Sequence, residues 1–217
     1  MSKAVVLLSG GVDSTTLLYD VLKQYEVYPI SFHYGQRHDR EVEAAAETCD
    51  RLHLLHKIFG IERFGGLAPS ALTEKGEIPH GHYEEETMKL TVVPNRNMVL
   101  ISLAVAYAIG IGAKDVFYGA HGGDHAIYPD CRDVFVDAMQ KAVRLCDWSE
   151  VVLHAPYLYF DKADIVKRGI ELGVDYSLTW TCYEGRRFAC GECSSCVERL
   201  EAFEKNGITD PIKYERR

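Results

Sequence analysis

The 217-residue sequence is short of long apolar runs and of basic residues, and both shortages restrict its function. No apolar run approaches the ~18 residues that a membrane-spanning helix needs. The chain carries 24 Lys and Arg against 32 Asp and Glu, and this net charge of −8 disfavours a protein that coats nucleic acid. The apolar run at residues 4–8 lacks a small-residue cleavage site, so we expect a strand there and not a signal peptide. We therefore expect a cytoplasmic protein that acts on a small molecule, with no membrane partner and no direct nucleic-acid partner.

Apolar runs of strand length alternate with amphipathic segments of helix length along the chain. We predict strands at 4–8, 27–32, 54–59, 115–118 and 151–153, and helices at 13–24, 41–52, 96–109, 133–145 and 161–172. Parallel strands need crossover helices, so the alternation predicts a single doubly wound α/β domain over residues 1–217, with ligands at the carboxyl ends of its strands. The segment 60–93 is too long for a plain connector, and we expect a lid or a mobile loop there.

The string Ser-Gly-Gly-Val-Asp-Ser at residues 9–14 joins the first strand to the first helix. Two glycines allow a tight turn and let backbone amides approach an anion, and the helix amino terminus adds its positive end. Asp13 would repel a bare phosphate, so we expect it to hold Mg²⁺ or to orient the turn. The plainer alternative is a turn in which Asp13 or Ser14 only caps the helix. Since no G-K-[ST] follows and GxGxxG is absent, the string matches neither a Walker P-loop nor a Rossmann motif, and it resembles the PP-loop of the ATP-pyrophosphatases.

Further polar motifs follow other predicted strands or open other predicted helices. They are YGQRH at 34–38, PNRN at 94–97, GAHGGDH at 119–125, YPDCR at 128–132 and DK at 161–162. Arg96 in the second motif is unusual, because a cation at the start of a helix opposes the helix dipole and favours a ligand anion nearby. Any one His or Arg in these loops is more often a surface residue. The predicted site therefore depends on their convergence at one edge of the sheet.

Four of the seven cysteines, Cys182, Cys190, Cys193 and Cys196, fall close together near the end of the chain. In a reducing compartment such a cluster favours a metal site over disulfides. Four thiolates suit tetrahedral Zn²⁺, but the tight C-x2-C-x2-C spacing also occurs in iron–sulfur proteins, so the spacing leaves both metals open. With four cysteine ligands a zinc ion would have no open position for water and would be structural.

Taken in order, SGGVDS, YGQRH, PNRN, YPDCR, DK and the cysteine cluster resemble the 7-cyano-7-deazaguanine synthases of queuosine and archaeosine biosynthesis. The resemblance implies an ATP-dependent carbon–nitrogen ligase in a tRNA modification pathway. Such an enzyme converts 7-carboxy-7-deazaguanine and ammonia into the nitrile, through adenylation of the carboxylate and an amide intermediate. It also implies a five-stranded sheet in the order 3-2-1-4-5, a zinc module at residues 181–200, Mg²⁺ with ATP, and a homodimer.

The same resemblance assigns roles to residues of this chain. Asp13, Arg96 and Lys162 are implied to be catalytic. Substrate contacts are implied for Arg37, His38, Asn97, Asp130 and Arg132. ATP contacts are implied for Leu8, Ser9, Gly10, Gly11, Val12, Asp13, Ser14, Thr15, Thr16, Leu17 and Leu18. The ligands of one zinc ion are implied to be Cys182, Cys190, Cys193 and Cys196, and zinc is preferred to iron–sulfur because the resembling family binds zinc.

Two other functions stay open at this point. One is a sulfurtransferase that adenylates a tRNA base, although the acidic charge and the lack of an RNA-binding appendage weigh against it. The other is a non-catalytic nucleotide-binding adaptor with a zinc module, which would not need Asp13, Arg96 and Lys162 at one edge. Pyrophosphate release that depends on a deazaguanine carboxylate, set against release that depends on tRNA, distinguishes these functions.

Overall fold

In the computed structural model, which describes residues 1–74, 78, 80, 88–124 and 128–215, five strands form a parallel sheet. They are β1 (Lys3–Leu7), β2 (Glu26–His33), β3 (Lys57–Gly60), β4 (Asp115–Phe117) and β5 (Val152–His154). Their order across the sheet is β3-β2-β1-β4-β5, which confirms the predicted order. The strand order reverses at β1, which pairs with β2 on one side and with β4 on the other. A doubly wound sheet binds its ligands beside such a reversal.

Helices connect the strands, and two more helices follow β5. They are α1 (Val12–Val21), α2 (Arg40–Arg51), α3 (Phe64–Leu67), α4 (Arg96–Ile111), α5 (Asp133–Val143), α6 (Lys162–Leu172) and α7 (Ser194–Lys205). Each predicted helix is present, with ends that differ by a few residues. The predictions for His125, and for residues 75–77, 79 and 81–87 of the segment 60–93, lie outside the described residues.

Two apolar layers cover the two faces of the sheet, and β1 shows how the sequence feeds both. Side chains alternate between faces along a strand, so Val5 packs in one layer while Ala4 and Val6 pack in the other. The first layer contains the buried faces of α4 and α5, and the second contains those of α1, α2, α6 and α7. Burial on both faces explains why β1 reads as a continuous apolar run.

Three elements differ from the predictions, and one of them is the short helix α3, which lies in the segment predicted to be a lid or a loop. The sequence predicts a third strand at 54–59, but His53 adopts a left-handed conformation (φ 56°) and the chain turns, so β3 starts at Lys57. The final helix α7 is absent from the predictions, because its first turn overlaps the cysteine cluster. Its Ala202 and Phe203 are buried in the second apolar layer, so this helix attaches the cysteine cluster to the domain.

The stretch Lys89–Ile111, which includes α4, is long and apolar enough to cross a membrane by length and composition alone. Its residues Ile101, Ala104, Val105 and Ala108 are buried in the first apolar layer. A core helix passes the same test of length and composition, so the stretch is weak evidence for a membrane span.

Candidate functional site

A cavity of about 260 Å³ opens at the carboxyl ends of β1, β2 and β4. Many of the residues singled out from the sequence line it: Leu8, Ser9, Gly11, Asp13, Ser14, Arg37, His38, Arg96, Asn97 and Lys162. These residues come from four different parts of the chain. Their convergence at one sheet edge is what the alternation of strands and helices predicts.

The glycine turn at residues 9–11 forms the floor of the cavity. Gly10 has a φ of 95°, and a Cβ at this position would collide with the backbone carbonyl of Glu41. The Ser14 hydroxyl accepts hydrogen bonds from the amides of Ser9 and Gly10 at 3.1 and 3.2 Å, and the Gly11 amide donates to Ser9 Oγ at 3.2 Å. Gly11 is the N-cap of α1 without a side-chain cap, so the first-turn amides of α1 are left to an anion. Neither Asp13 nor Ser14 therefore acts as the helix cap.

A polar cluster of Asp13, His121, Lys162 and Glu198 lies beside the glycine turn. Lys162 Nζ is 2.7 Å from Asp13 Oδ2, 3.1 Å from His121 Nε2 and 3.4 Å from Glu198 Oε2. Burial alone would raise the pKa of Asp13, but Lys162 and then His121 outweigh it and hold that pKa below its usual value. Asp13 is therefore a carboxylate at neutral pH. Its Oδ1 is buried without a hydrogen-bond partner among the described residues. This is expected for an oxygen that serves as a ligand of a cation.

Arg96 reaches the cavity from the start of α4. The preceding Asn95 adopts the left-handed conformation (φ 62°), which Asn tolerates better than most residues. The Arg96 guanidinium lies 5.7 Å from the centre of the Tyr34 ring and donates to the Tyr34 hydroxyl at 3.4 Å. This contact holds a positive charge at a helix amino terminus, where it can meet a ligand anion.

The loop after β2 packs against the segment that carries Cys182, the first residue of the cysteine cluster. His38 Nε2 lies 3.2 Å from the Tyr183 carbonyl oxygen, and burial lowers the pKa of His38. Arg37 Nη1 donates to the Ala71 carbonyl at 3.3 Å. Both side chains line the cavity, so this loop forms a wall between the glycine turn and the cysteine cluster.

The cysteine cluster has the geometry of a tetrathiolate metal site. The sulfur atoms of Cys182, Cys190, Cys193 and Cys196 lie within 4.8 Å of one another and all four residues are buried. The Sγ atoms of Cys190 and Cys196 are 3.9 Å apart, close to the ~3.8 Å edge of a tetrahedron with Zn–S bonds of about 2.3 Å. The amides of Glu192 and Cys193 donate to Cys190 Sγ, which stabilises a thiolate. These residues fit a metal such as zinc.

The chain is similar to known proteins over nearly its whole length. A family model described as "Queuosine biosynthesis protein QueC" matches residues 3–207. The chain belongs to the QueC family. The chain is 58% identical to 7-cyano-7-deazaguanine synthase of Methanoregula boonei over 98% of this chain and 99% of that protein. It is 59% identical to the 7-cyano-7-deazaguanine synthase of Caldicellulosiruptor saccharolyticus, over 98% and 96% of the two chains. A solved structure titled as a predicted subunit of tRNA methyltransferase from Methanocaldococcus jannaschii aligns over 100% of this chain and 94% of its own, with 15% identity and a TM-score of 0.49.

Some residues implicated by the QueC resemblance do not reach the cavity. Thr15, Thr16, Leu17 and Leu18 are buried inside α1, and Thr16 Oγ1 bonds instead to the Tyr176 hydroxyl at 2.8 Å. A helix presents only one face to the cavity, and these four residues are buried in the packing of α1 instead. Gly10 and Val12 likewise support the turn without lining the cavity.

The YPDCR motif presents different residues to the QueC cavity than the sequence predicts. Its short helical turn directs Cys131 and Tyr128 inwards, whereas Arg132 is exposed. Asp130 Oδ2 accepts a hydrogen bond from the Asn97 amide at 3.2 Å, so it fixes the start of α4. A direct substrate contact by Asp130 or Arg132 has no support from this placement.

Sequence reasoning missed several QueC cavity residues, notably Glu41, Glu198 and Tyr118. Glu198 lies on the unpredicted helix α7, two residues after Cys196. Tyr118 follows β4, and its buried hydroxyl has no hydrogen-bond partner among the described residues. Tyr118 is the last residue of the strand predicted at 115–118, and its place at the carboxyl end of that strand is a signal that could have found it, whereas nothing local marks Glu41 or Glu198.

Proposed function

We propose that this protein is a 7-cyano-7-deazaguanine synthase that joins the carboxylate of 7-carboxy-7-deazaguanine to ammonia at the cost of ATP. The observation that carries the proposal is Asp13 Oδ1, which has no hydrogen-bond partner among the described residues and lies beside the Lys162 ammonium at the glycine turn. Family membership and synthase-named relatives at 58% and 59% identity support it. The cavity volume of about 260 Å³ suits a small ring system with part of a nucleotide.

The residues around the glycine turn suit the activation of a carboxylate by ATP. The first-turn amides of α1 would bind the phosphates, and Asp13 would hold Mg²⁺ through its free oxygen. When bound, Mg²⁺ would spread the charge of the leaving pyrophosphate. Lys162 and Arg96 add two positive charges near the place where negative charge develops, which stabilises the transition state of adenylation.

The opposite wall of the cavity suits the deazaguanine substrate. Phe32, Tyr34, Tyr118 and Tyr128 contribute aromatic surface, and the Tyr118 hydroxyl offers a free polar group. Arg37 also lines the cavity, from the loop after β2, and offers a planar pair of donors for a carboxylate. Substrate carboxylate and ATP phosphates would then meet between the aromatic wall and the glycine turn.

We further propose that the cysteine cluster holds one structural zinc ion. Four sulfur ligands enclose the metal and leave no position for water or substrate. The bound metal would fix the segment from Thr181 to Tyr183 that lines the cavity.

The homodimer and the cytoplasmic location are also proposals. Helix α4 has a single charged residue, Arg96, yet exposes a stripe of Met98, Ser102, Ala106 and Gly110 at a spacing of four residues. A helix that is apolar all round usually has a partner on each side, and a second copy would cover this stripe. Free cysteines favour a reducing compartment. Light scattering of the purified protein measures the oligomeric state.

The test of function is an assay of the purified protein with 7-carboxy-7-deazaguanine, ammonia and ATP. We expect the nitrile and pyrophosphate to form, and Asp13→Asn to lower the rate by about 100-fold or more. The matched control is Asp20→Asn, since Asp20 lies on the same helix and pairs with Arg168 outside the cavity. Pyrophosphate release with tRNA and none with the deazaguanine carboxylate would favour the sulfurtransferase instead.

A further inference from the structure

Glu41 is a carboxylate of the cavity that the proposed adenylation does not use. It lies in the first turn of α2, lines the cavity and is half-buried. Its backbone carbonyl packs against Gly10, which seats the start of α2 on the glycine turn. Its Oε1 lies 4.0 Å from the point where a Cβ on Gly11 would stand. The side chain therefore faces the same space as the amides that would bind phosphate.

Charged and titratable groups face Glu41 from every side of the cavity. The groups that influence Glu41 are Arg96 on α4, Lys162 on α6 and Asp13 on α1. Glu41 in turn acts on the hydroxyl of Tyr34, the residue that follows β2. Burial is the main influence and raises the pKa of Glu41 to about 7, with Asp13 adding to the rise and Arg96 and Lys162 opposing it. Glu41 can therefore take up and release a proton near neutral pH.

Among the described residues, the other carboxylates and the histidines that line the cavity already have partners. Among the described residues, the carboxylates that line the cavity are Asp13, Glu41 and Glu198, and the first and last contact Lys162. His121 is 1% exposed and contacts Lys162, and His38 contacts the Tyr183 carbonyl. Glu41 makes no hydrogen bond or ion pair to another side chain among the described residues, and its carboxylate lines the cavity beside Gly11.

We propose that Glu41 is the catalytic base for amide formation. The proposal rests on the proposed function, because it needs an acyl adenylate and ammonia in this cavity. As the nitrogen–carbon bond forms and the carbon–oxygen bond to the phosphate breaks, AMP leaves with the electron pair. The nitrogen then carries an excess proton, and the Glu41 carboxylate takes it up. The proton passes to solvent through the open side of the cavity before the next turnover.

The proposal separates two half-reactions that can be measured apart. Adenylation is followed by exchange of labelled pyrophosphate into ATP, with the deazaguanine carboxylate present and ammonia absent. Amide formation is followed with ammonia, with kcat/KM expressed per concentration of unprotonated ammonia across a range of pH. Hydroxylamine is the second nucleophile, because it is largely unprotonated at neutral pH and is a stronger nucleophile than ammonia, so it depends less on a base.

We expect Glu41→Gln to keep pyrophosphate exchange near the wild-type rate and to lower kcat/KM for ammonia by about 100-fold. The rise of the wild-type profile around pH 7 should vanish in this variant and return in Glu41→Asp. The loss with hydroxylamine should be smaller than the loss with ammonia. Glu43→Gln is the control, because Glu43 is exposed on the same helix.

Three results would overturn the assignment. Equal losses of exchange and amide formation in Glu41→Gln would place the residue in ATP binding. Wild-type ammonia kinetics in that variant would remove it from the reaction. Absence of carboxylate-dependent exchange in the wild-type protein would refute the proposed function itself, and this result differs from the other two because no variant is involved.

Discussion

The buried ion pair between Arg199 and Asp210 stabilises the segment before Cys182, and its removal should destabilise the whole domain. Arg199 is 0% exposed, and its Nε and Nη2 lie 2.7 and 2.9 Å from the two Asp210 carboxylate oxygens. Its Nη1 donates to the hydroxyls of Thr179 and Thr181 at 2.9 Å each. One side chain thus ties α7 to the carboxyl-terminal segment and to the residues just before Cys182.

The magnitude follows from what Arg199→Ala leaves behind. Removing one partner of a buried ion pair typically costs about 3–5 kcal/mol, because the remaining charge stays buried. Asp210 would keep the Tyr214 hydroxyl at 2.6 Å and the Ile212 amide at 3.2 Å, so we expect the lower end, about 3 kcal/mol. For a domain of this size the melting temperature should fall by roughly 6–12 °C.

Thermal unfolding followed by circular dichroism measures this effect, and Arg168→Ala provides the control. Arg168 also contacts an aspartate through two nitrogens, at 2.6 and 3.2 Å from Asp20, but its side chain is 39% exposed. An exposed pair is worth about 1 kcal/mol or less. Equal melting temperatures for the two variants would refute the argument that burial, and not pairing as such, sets the cost.

Three further predictions concern the glycine turn, the cysteine cluster and pH. Gly11→Ala should fold, because its Cβ would lie no closer than 3.4 Å to Ser9 Oγ, but it should lose ATP turnover in the pyrophosphate assay. Gly10→Ala should misfold, because its Cβ would collide with the Glu41 backbone. Cys193→Ser should yield poorly soluble, metal-poor protein, because structural zinc contributes on the order of 10 kcal/mol to folding. As the control, Cys146→Ser changes an exposed cysteine outside the cluster and should keep about one zinc per chain by elemental analysis. A brown protein with several irons per chain would contradict zinc. The pKa of Glu41 is raised from 4.5 to about 7, so the stability that its protonated form contributes is lost as pH rises through that window. Between pH 5 and pH 8, the free energy of unfolding of Glu41→Gln in urea should therefore rise by up to about 3 kcal/mol relative to wild type. No such rise would contradict the pKa shift.

Local patterns were sufficient for the parts of the site that are contiguous in the chain. The glycine turn needs two adjacent glycines between a strand and a helix, and the metal cluster needs closely spaced cysteines. Both are short-range geometries, so spacing predicts them before any tertiary contact is known. The strand and helix alternation is equally local, although the order of strands came from the resemblance and not from periodicity.

Contacts between distant segments depended on the tertiary structure. Asp13 and Lys162 are 149 positions apart, and their 2.7 Å contact exists because α1 and α6 pack against each other in the second apolar layer. Glu198 joins them only because α7 packs in the second apolar layer.

The roles of individual polar residues were also decided by packing. The sequence could not distinguish Asp130, which fixes the start of α4, from Cys131, which faces the cavity. The raised pKa of Glu41 has the same origin, because its burial in the folded domain sets it. Sequence determines local backbone geometry through short-range sterics and ligand spacing, whereas burial and charge proximity arise when remote segments pack together.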